Sequence, residues 1–417
     1  MAGMTYNATT VQSILKTYFN NKAVQNVIAS KKGAIYADMP RSTDGGGDYC
    51  KFTQQLSTPF TISSDFTTAQ NLAAASTVAP GLKYSMPWQE QSGPIRVSAK
   101  ANLLSRTDKV AWFKALGKAA ADVLMMQHHV YSIKSLASGF GELAGTAISG
   151  VSGFTFTVTK GAIVHFVEGM PLVFSSTLDT AVLRSANAIK VTAVDYATGV
   201  VTCDTALATP GGVNGDFVFL AGDRQNSATP SRLCPVGLRH WLPSVRPVTD
   251  TNISTLEGTV RSTNSRSYGG FIDATALDDI DGLAQAVQTA VTVGNATDLT
   301  AYVSHSRFTA IATALSSDRR YADNNGNSGF LKISVSGSDI TVPLKIDKNL
   351  EDDDGYVLQK GAYTIVSCGE LPMIQEEGGN WTKVSDDNGL EMRTYGLGAF
   401  LMLDPAACCV VTFAALT

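Results

Sequence analysis

No run of apolar residues in this 417-residue chain approaches the roughly 18 that a membrane-crossing helix needs. The longest, AACCVVTFAAL near the C-terminus, has the length of a core strand. The opening MAGMTYNATTVQSILKTYF lacks a basic segment followed by an apolar block, so no secretory signal is predicted and a soluble intracellular product is expected. Cysteine is scarce: Cys50, Cys203, Cys234, Cys368, Cys408 and Cys409 lie among apolar neighbours and never form C-x-x-C. That excludes a zinc ribbon and a disulfide framework, and predicts buried, reduced thiols. Without secretion, the N-x-S/T sequons at Asn7, Asn252, Asn295 and Asn380 are chance matches in a Thr-rich chain. Charge is also sparse, at 16% of residues with a net of −4, which argues against a protein that coats nucleic acid by overall charge.

Catalytic signatures are missing as well. The chain has no G-x-x-x-x-G-K-[ST], no H-E-x-x-H and no G-x-S-x-G. Its five histidines are His128, His129, His165, His240 and His305, and none sits in a readable nucleophile arrangement. His128 and His129 are adjacent, so on a helix their rings diverge by about 100°. The positions one turn away hold Leu124, Met125, Met126, Tyr131, Ser132 and Ile133, which supply no second metal ligand. GFGELA at 139–144 follows a helical stretch, where a dinucleotide fingerprint needs a strand before it and a helix after. DNNGNSG at 323–329 has Ser328 and Ser334 where a calcium loop needs Gly and Glu. EDDDG at 351–355 reads as a solvated hairpin tip. No catalytic residue, cofactor site or metal site is expected.

What is present is core material, with 44% hydrophobic residues, and strong periodicity. Residues 107–137 place Trp112, Leu116, Ala119, Val123, Met126, Val130, Ile133 and Ala137 at alternating steps of four and three, predicting a single helix about 46 Å long. Lys114, Lys118, Asp122 and Ser132 fall on its opposite side, where water or a charged neighbour can reach them. Ahead of it, residues 9–30 read as short amphipathic helices, DGGGDY breaks the chain at 44–49, and the Thr-, Ser- and Gln-rich segment that follows reads as a long extended hairpin without helical period.

Past Gly139 the period switches to two: Phe154, Phe156 and Val158 alternate with Thr155, Thr157 and Thr159. Residues 148–222 thus form a β module of about 75 residues, the size of a small independent barrel or sandwich. The segment 224–266, broken by prolines, carries Arg224, Arg232, Arg239, Arg246, Arg261 and Arg266; such a stretch can face DNA or pair with acidic neighbours. Helices are predicted over 278–293 and 305–315, followed by strands in LKISVSG, ITVPLKID, YVLQKGAYTIVSC, GLEMRTYG, AFLMLD and CCVVTFA.

This order of arm, extended hairpin, long helix, inserted β module and mixed α+β domain resembles the major capsid proteins of tailed bacteriophages, the Hong Kong phage-type fold, over nearly the whole chain. The strongest local likeness is GNWTKVSDDNGLEMRTYGLGAFLMLDPAACCVVTF, in which Arg393, Ala399, Phe400, Asp404 and Pro405 match the closing stretch of such proteins. No lysine–asparagine crosslinking pair is identifiable. The resemblance implies an N-terminal arm (1–43), an extended loop (44–102), a spine helix of a peripheral domain (103–147), an inserted small β-barrel or sandwich (148–222), an Arg-rich connector with peripheral strands (223–270), an axial domain with returning strands (271–403) and a C-terminal strand of the peripheral domain (404–417). It further implies a non-enzymatic subunit that forms the pentamers and hexamers of an icosahedral shell. Scaffolding and portal proteins, a decoration protein and packaged double-stranded DNA are its implied partners, with the virion as location and the host cytoplasm as place of assembly. Phe60, Trp88, Arg96 and Lys100 are candidate intersubunit contacts, and Arg232, Arg239 and Arg246 candidate DNA-facing residues. The alternatives are a phage tail tube or sheath subunit, and an enzyme with an appended β module.

Overall fold

The computed structural model describes residues 4–6, 32–55, 62–75, 81–97, 123–180, 182–185, 187–207, 211–228, 231–246, 255–262, 264–318, 333–337, 340–374, 382–383 and 390–416. The readings made for 9–30, for the first half of the long helix and for 323–329 lie outside these residues. Within them, three cores organise the chain.

The first core is built on a 13-residue strand, Leu390–Met402. It pairs antiparallel with Gln89–Val97 on one side and Tyr363–Ser367 on the other, and its apolar residues pack with the end of the long helix, helical over 123–134. The sequence reading breaks this strand at its glycines. In the structure it runs straight through, because the glycines serve close approach: a Cβ on Gly396 would lie 2.6 Å from the Tyr131 hydroxyl and 2.7 Å from Leu371. Helix and strand therefore touch backbone to ring.

The second core is the β module. Six strands between Ser149 and Leu220 pair antiparallel throughout, in the order Phe217–Leu220, Pro171–Ser175, Ile189–Asp195, Val200–Cys203, Thr155–Thr157 and Ser149–Ser152. Phe156 packs edge-on against Phe166 and Phe174 at its centre. Ile133 and Leu143, from the helix and the turn after it, join this core and seat the module on the long helix.

The third core lies between a mixed sheet and the helix Asp279–Gly294. Its strand order is Gly270–Ala274, Cys409–Phe413, Asp354–Gln359, Leu299–Val303, Ile340–Ile346 and Ile333–Gly337. Here the structure corrects the expected partition of the tail. Residues 390–402, read by sequence within the axial domain and its returning strands, form the sheet of the helix over 123–134, and the closing strand Cys409–Phe413, expected to rejoin the peripheral sheet, joins the other sheet, parallel to Gly270–Ala274. CVVTF is a nearly continuous apolar run that suits a central strand of either sheet, so its pattern names no partner. The crossing is made by the 3-10 turn Pro405–Ala407, on which the end of helix 279–294 rests so closely that a Cβ on Gly294 would lie 2.3 Å from Ala407.

Two further corrections concern the arm and the helix. The segment between the arm strands Tyr49–Gln55 and Gly81–Pro87 contains a helix, Phe66–Ala75, and the hairpin ends at Pro87, since Gln89–Val97 belongs to the first sheet. Helix propensity explains the first point: FTTAQNLAAA is Ala-rich, and Asp65 caps it by accepting from the Thr68 amide at 2.8 Å. Ser132, read on the polar side open to water or a charged neighbour, is 1% exposed, covered by the Gly33 amide and the Asn349 side chain, which both donate to it.

Gly396→Ala is expected to cost about 1–3 kcal/mol by pushing Tyr131 off the strand. Gly46→Ala, where nothing lies within 4 Å of the added carbon, should be nearly neutral. Urea denaturation of unassembled subunits checks both.

Candidate functional site

Two features are built for a purpose beyond filling the core: a charge hub where the three cores meet, and an arm whose tip leaves them.

The hub centres on Arg239. Its backbone belongs to the short helix Leu238–Trp241, which is held against the end of the long helix because the Leu238 and Arg239 amides donate to Ser135 and Leu136 carbonyls at 2.9 and 3.1 Å. Those carbonyls lack partners within their own helix, so the contact satisfies them. From there the guanidinium reaches Glu351 at 3.1 Å, Asp354 at 3.3 Å and Glu142 at 3.7 Å. It lies flat on the chain at Gly145, where a Cβ would come within 2.1 Å of it. The Gly145 amide donates to Glu351 at 2.5 Å. His165, from the β module, closes the arrangement with its ring nitrogens against the Leu143 carbonyl and, at 2.9 Å, the Asn349 carbonyl.

The hub's electrostatics are uneven. Burial alone would raise the Glu351 carboxyl, but Arg239 and the Gly145 amide outweigh it and hold the group below its ordinary range. Asp354 faces the same guanidinium yet stays above its ordinary range, because burial, reinforced by the charges of Glu351 and Asp353, outweighs Arg239. Glu351 is therefore the carboxylate that holds Arg239, and Asp354 the one tolerated beside it.

This overturns the reading of EDDDG as a solvated tip, since Glu351 is 6% exposed. It also removes two of the three arginines expected to face DNA. Arg239 points inward, and Arg232 is engaged with Glu257 at 3.3 Å while lying over the Phe140 ring at 5.1 Å. Arg246 is exposed. Two other connector arginines are buried: Arg261 donates to the Trp241 carbonyl at 3.2 Å and to that of His240, and Arg224 lies over the Phe219 ring at 4.8 Å. An arginine count in sequence carries no information on which guanidinium finds a carboxylate or a carbonyl inside.

The arm is anchored and then released. Its root stacks Phe52 on Tyr84 at 5.1 Å, with Tyr84 edge-on to the fully buried Trp241 at 5.5 Å, and Gln54 donates to the Met402 carbonyl at 2.7 Å. Trp88, a candidate intersubunit contact, is half-buried beside this root and donates to the Gly47 carbonyl at 2.8 Å. At the tip, Ile62 and Phe66 are 76% and 79% exposed, and Leu72 on the same short helix is also exposed. Apolar side chains so placed on a ten-residue helix and just ahead of it mark an interaction surface. The sequence reading missed them because it saw no helical period there. Arg96 is half exposed and shares the buried Glu391 with Arg393, each at 2.5 Å. Phe60 and Lys100 lie outside the described residues.

Among the described residues no group of His, Cys, Asp and Glu is arranged to hold a metal ion, and the six cysteines are free thiols.

Replacing Arg239 by Met should cost about 3–5 kcal/mol, since it strands buried carboxylates. Glu351→Gln carries a sign in pH. Because the folded carboxyl titrates below its unfolded value near 4.5, its contribution is full above that value and fades as pH falls through the folded one. The penalty of Glu351→Gln should therefore be larger at pH 7 than at pH 4, and that of Asp354→Asn should not show this trend, as urea titrations at the two pH values will report.

No protein-family model matches the chain, and no curated protein matches it in sequence. Solved structures do. The capsid asymmetric unit of cyanophage A-1(L) matches over 95% of this chain and 97% of its own, with a TM-score of 0.54 at 11% identity. The capsid of a native GTA particle covers 95% of this chain and 94% of its own at 10% identity, with a TM-score of 0.49. At such identities residues cannot be transferred, but the path of the backbone can. With the helix over 123–134, the extended hairpin arm, two sheets and the six-stranded module, the chain has the phage major capsid fold of the Hong Kong phage type.

Proposed function

We propose that this chain is the structural subunit of an icosahedral bacteriophage capsid, self-assembling into a shell around double-stranded DNA. The observation that carries the reading is the full-length likeness to a cyanophage capsid subunit, joined to an arm whose root is clamped by aromatic stacking while its tip holds exposed Ile62 and Phe66. A shell subunit needs such a combination: a rigid body and an apolar element directed at a neighbour rather than at its own core.

In this reading residues 1–43 are the N-terminal arm, and the hairpin arm described above, 44–87, is the extended loop. The long helix with strands 89–97, 363–367 and 390–402 forms the peripheral body, and 149–220 is the inserted domain. The sheet and helices drawn from 270–359 and 409–413 form the axial domain. Pentamers and hexamers of this chain would make the shell, assembled in the host cytoplasm with scaffolding and portal proteins and residing in the virion, with the inserted domain open to a decoration protein. Arg96 and Trp88, together with Phe60 and Lys100, remain intersubunit candidates, and Arg246 is the DNA-facing candidate that stays exposed. The role is structural, without catalysis.

Negative-stain electron microscopy of the protein co-expressed with its scaffold should show uniform closed particles. Tubes of variable length, or small oligomers alone, would overturn the reading. Ile62→Asp with Phe66→Asp should leave subunit stability within about 0.5 kcal/mol in urea, since both side chains are already in water, while particle yield collapses.

A further inference from the structure

A second concentration of charge lies where the first described helix meets the long one, and it is composed differently from the hub. The Gly33 amide donates to Ser132 at 2.8 Å, and Ser132 stands one helical turn beyond His128 on the same face. Lys32 is thereby brought beside His128. From the other side, the Tyr36 hydroxyl meets His128 Nδ1 at 3.3 Å, and the Arg41 guanidinium lies over the Tyr36 ring, 4.9 Å from its centre. Two exposed cations and a half-buried imidazole thus surround one phenol.

In the hub, cation and carboxylates are matched. Around Tyr36 they are not: among the described residues, no carboxylate lies within ion-pair distance of Lys32, Arg41 or His128. The groups oppose one another. His128 is pushed down to about 4 by burial and by the charges of Lys32 and Arg41, and Lys32 is lowered by burial and by Arg41. The nearby backbone is firmly fixed, because Asp347 accepts from the Ile35 amide at 2.7 Å and Asn349 donates to Ser132 at 2.7 Å. The cluster therefore cannot disperse by moving the segment that carries Lys32. Two like cations on a fixed frame gain most from an anion that bridges them, and a tetrahedral oxyanion can accept from a guanidinium, an ammonium and the N–H of a neutral imidazole at once.

We propose that Lys32, Arg41 and His128 form a binding site for a phosphate group, supplied either by free phosphate or by the backbone of a nucleic acid. The site goes beyond the shell reading and stands without it, because its residues converge within one subunit.

Isothermal titration calorimetry on unassembled subunits at low ionic strength tests it, with inorganic phosphate in one arm and short duplex DNA in the other. Wild-type protein should bind phosphate, and Lys32→Gln with Arg41→Gln should weaken binding about tenfold or more for each charge-assisted hydrogen bond removed. If DNA is the source, the double variant should also lower the slope of log affinity against log salt by about 2. Phosphate binding without a variant-sensitive DNA response assigns the site to the free ion. Thermal unfolding of the double variant controls for folding, and Lys32→Gln alone, at an exposed side chain, serves if the double variant is unstable. Absence of binding to the wild type, or equal binding to the variants, overturns the proposal. So does loss of particle assembly in the variants without any phosphate or DNA binding, which would assign the cluster to a carboxylate of a neighbouring copy.

Discussion

A guanidinium keeps its charge at every pH the protein meets, so an arginine folded into the interior dictates what must surround it. Arg239 imposes that demand where the end of the long helix, the β module, the connector and the mixed sheet meet. Glu142 comes from the turn after the helix, Glu351 and Asp354 from the start of a sheet strand, and His165 of the module touches the carbonyls on either side. None of these groups is tolerable at its depth without the others: removing the cation leaves buried carboxylates, and removing Glu351 leaves a cation held mainly by a carboxylate that burial disfavours. The hub sets the orientation of the three hydrophobic cores relative to one another. Lys134 with Asp223, at 2.9 Å, and Arg307 with Asp279, at 3.0 Å, repeat the device at other junctions.

The apolar cores supply the gross stability, and the charged junctions supply the geometry. Hydrophobic burial is non-directional, so the cluster around Phe156, Phe166 and Phe174 would be served by many placements of the module. Paired charges in a low dielectric accept few placements. The arm inverts this logic along its length. Its root is over-determined by the Phe52, Tyr84 and Trp241 rings and the Gln54 hydrogen bond, whereas its tip presents Phe66 and Ile62 to solvent. A fixed root aims the tip, and an exposed tip keeps apolar area for another surface.

Much of the architecture is legible in the residues themselves. The 3.6 period near Val130 and Ile133, the period of two from Phe154 to Thr159, and the inward stripe of Leu283 and Val287 are local consequences of backbone geometry, so they survive without tertiary information. Likewise the scarcity of histidine and the lack of C-x-x-C bear on chemistry directly. The order of these elements sufficed to point to the capsid fold that the structural likeness bears out.

The tertiary structure decided everything that depends on which distant residues become neighbours. Gly396 and Gly398 look like strand breaks until Tyr131 and Leu371 are laid upon them. CVVTF fits either sheet until the Pro405–Ala407 turn carries it across. EDDDG and the arginines of the connector read as solvated charge, because in sequence a charged residue's default partner is water. The reason is common to all three: a local pattern reports how a segment divides its faces between apolar and polar, whereas burial of a glycine, a central strand or a charge is settled by what is brought against it from elsewhere in the chain.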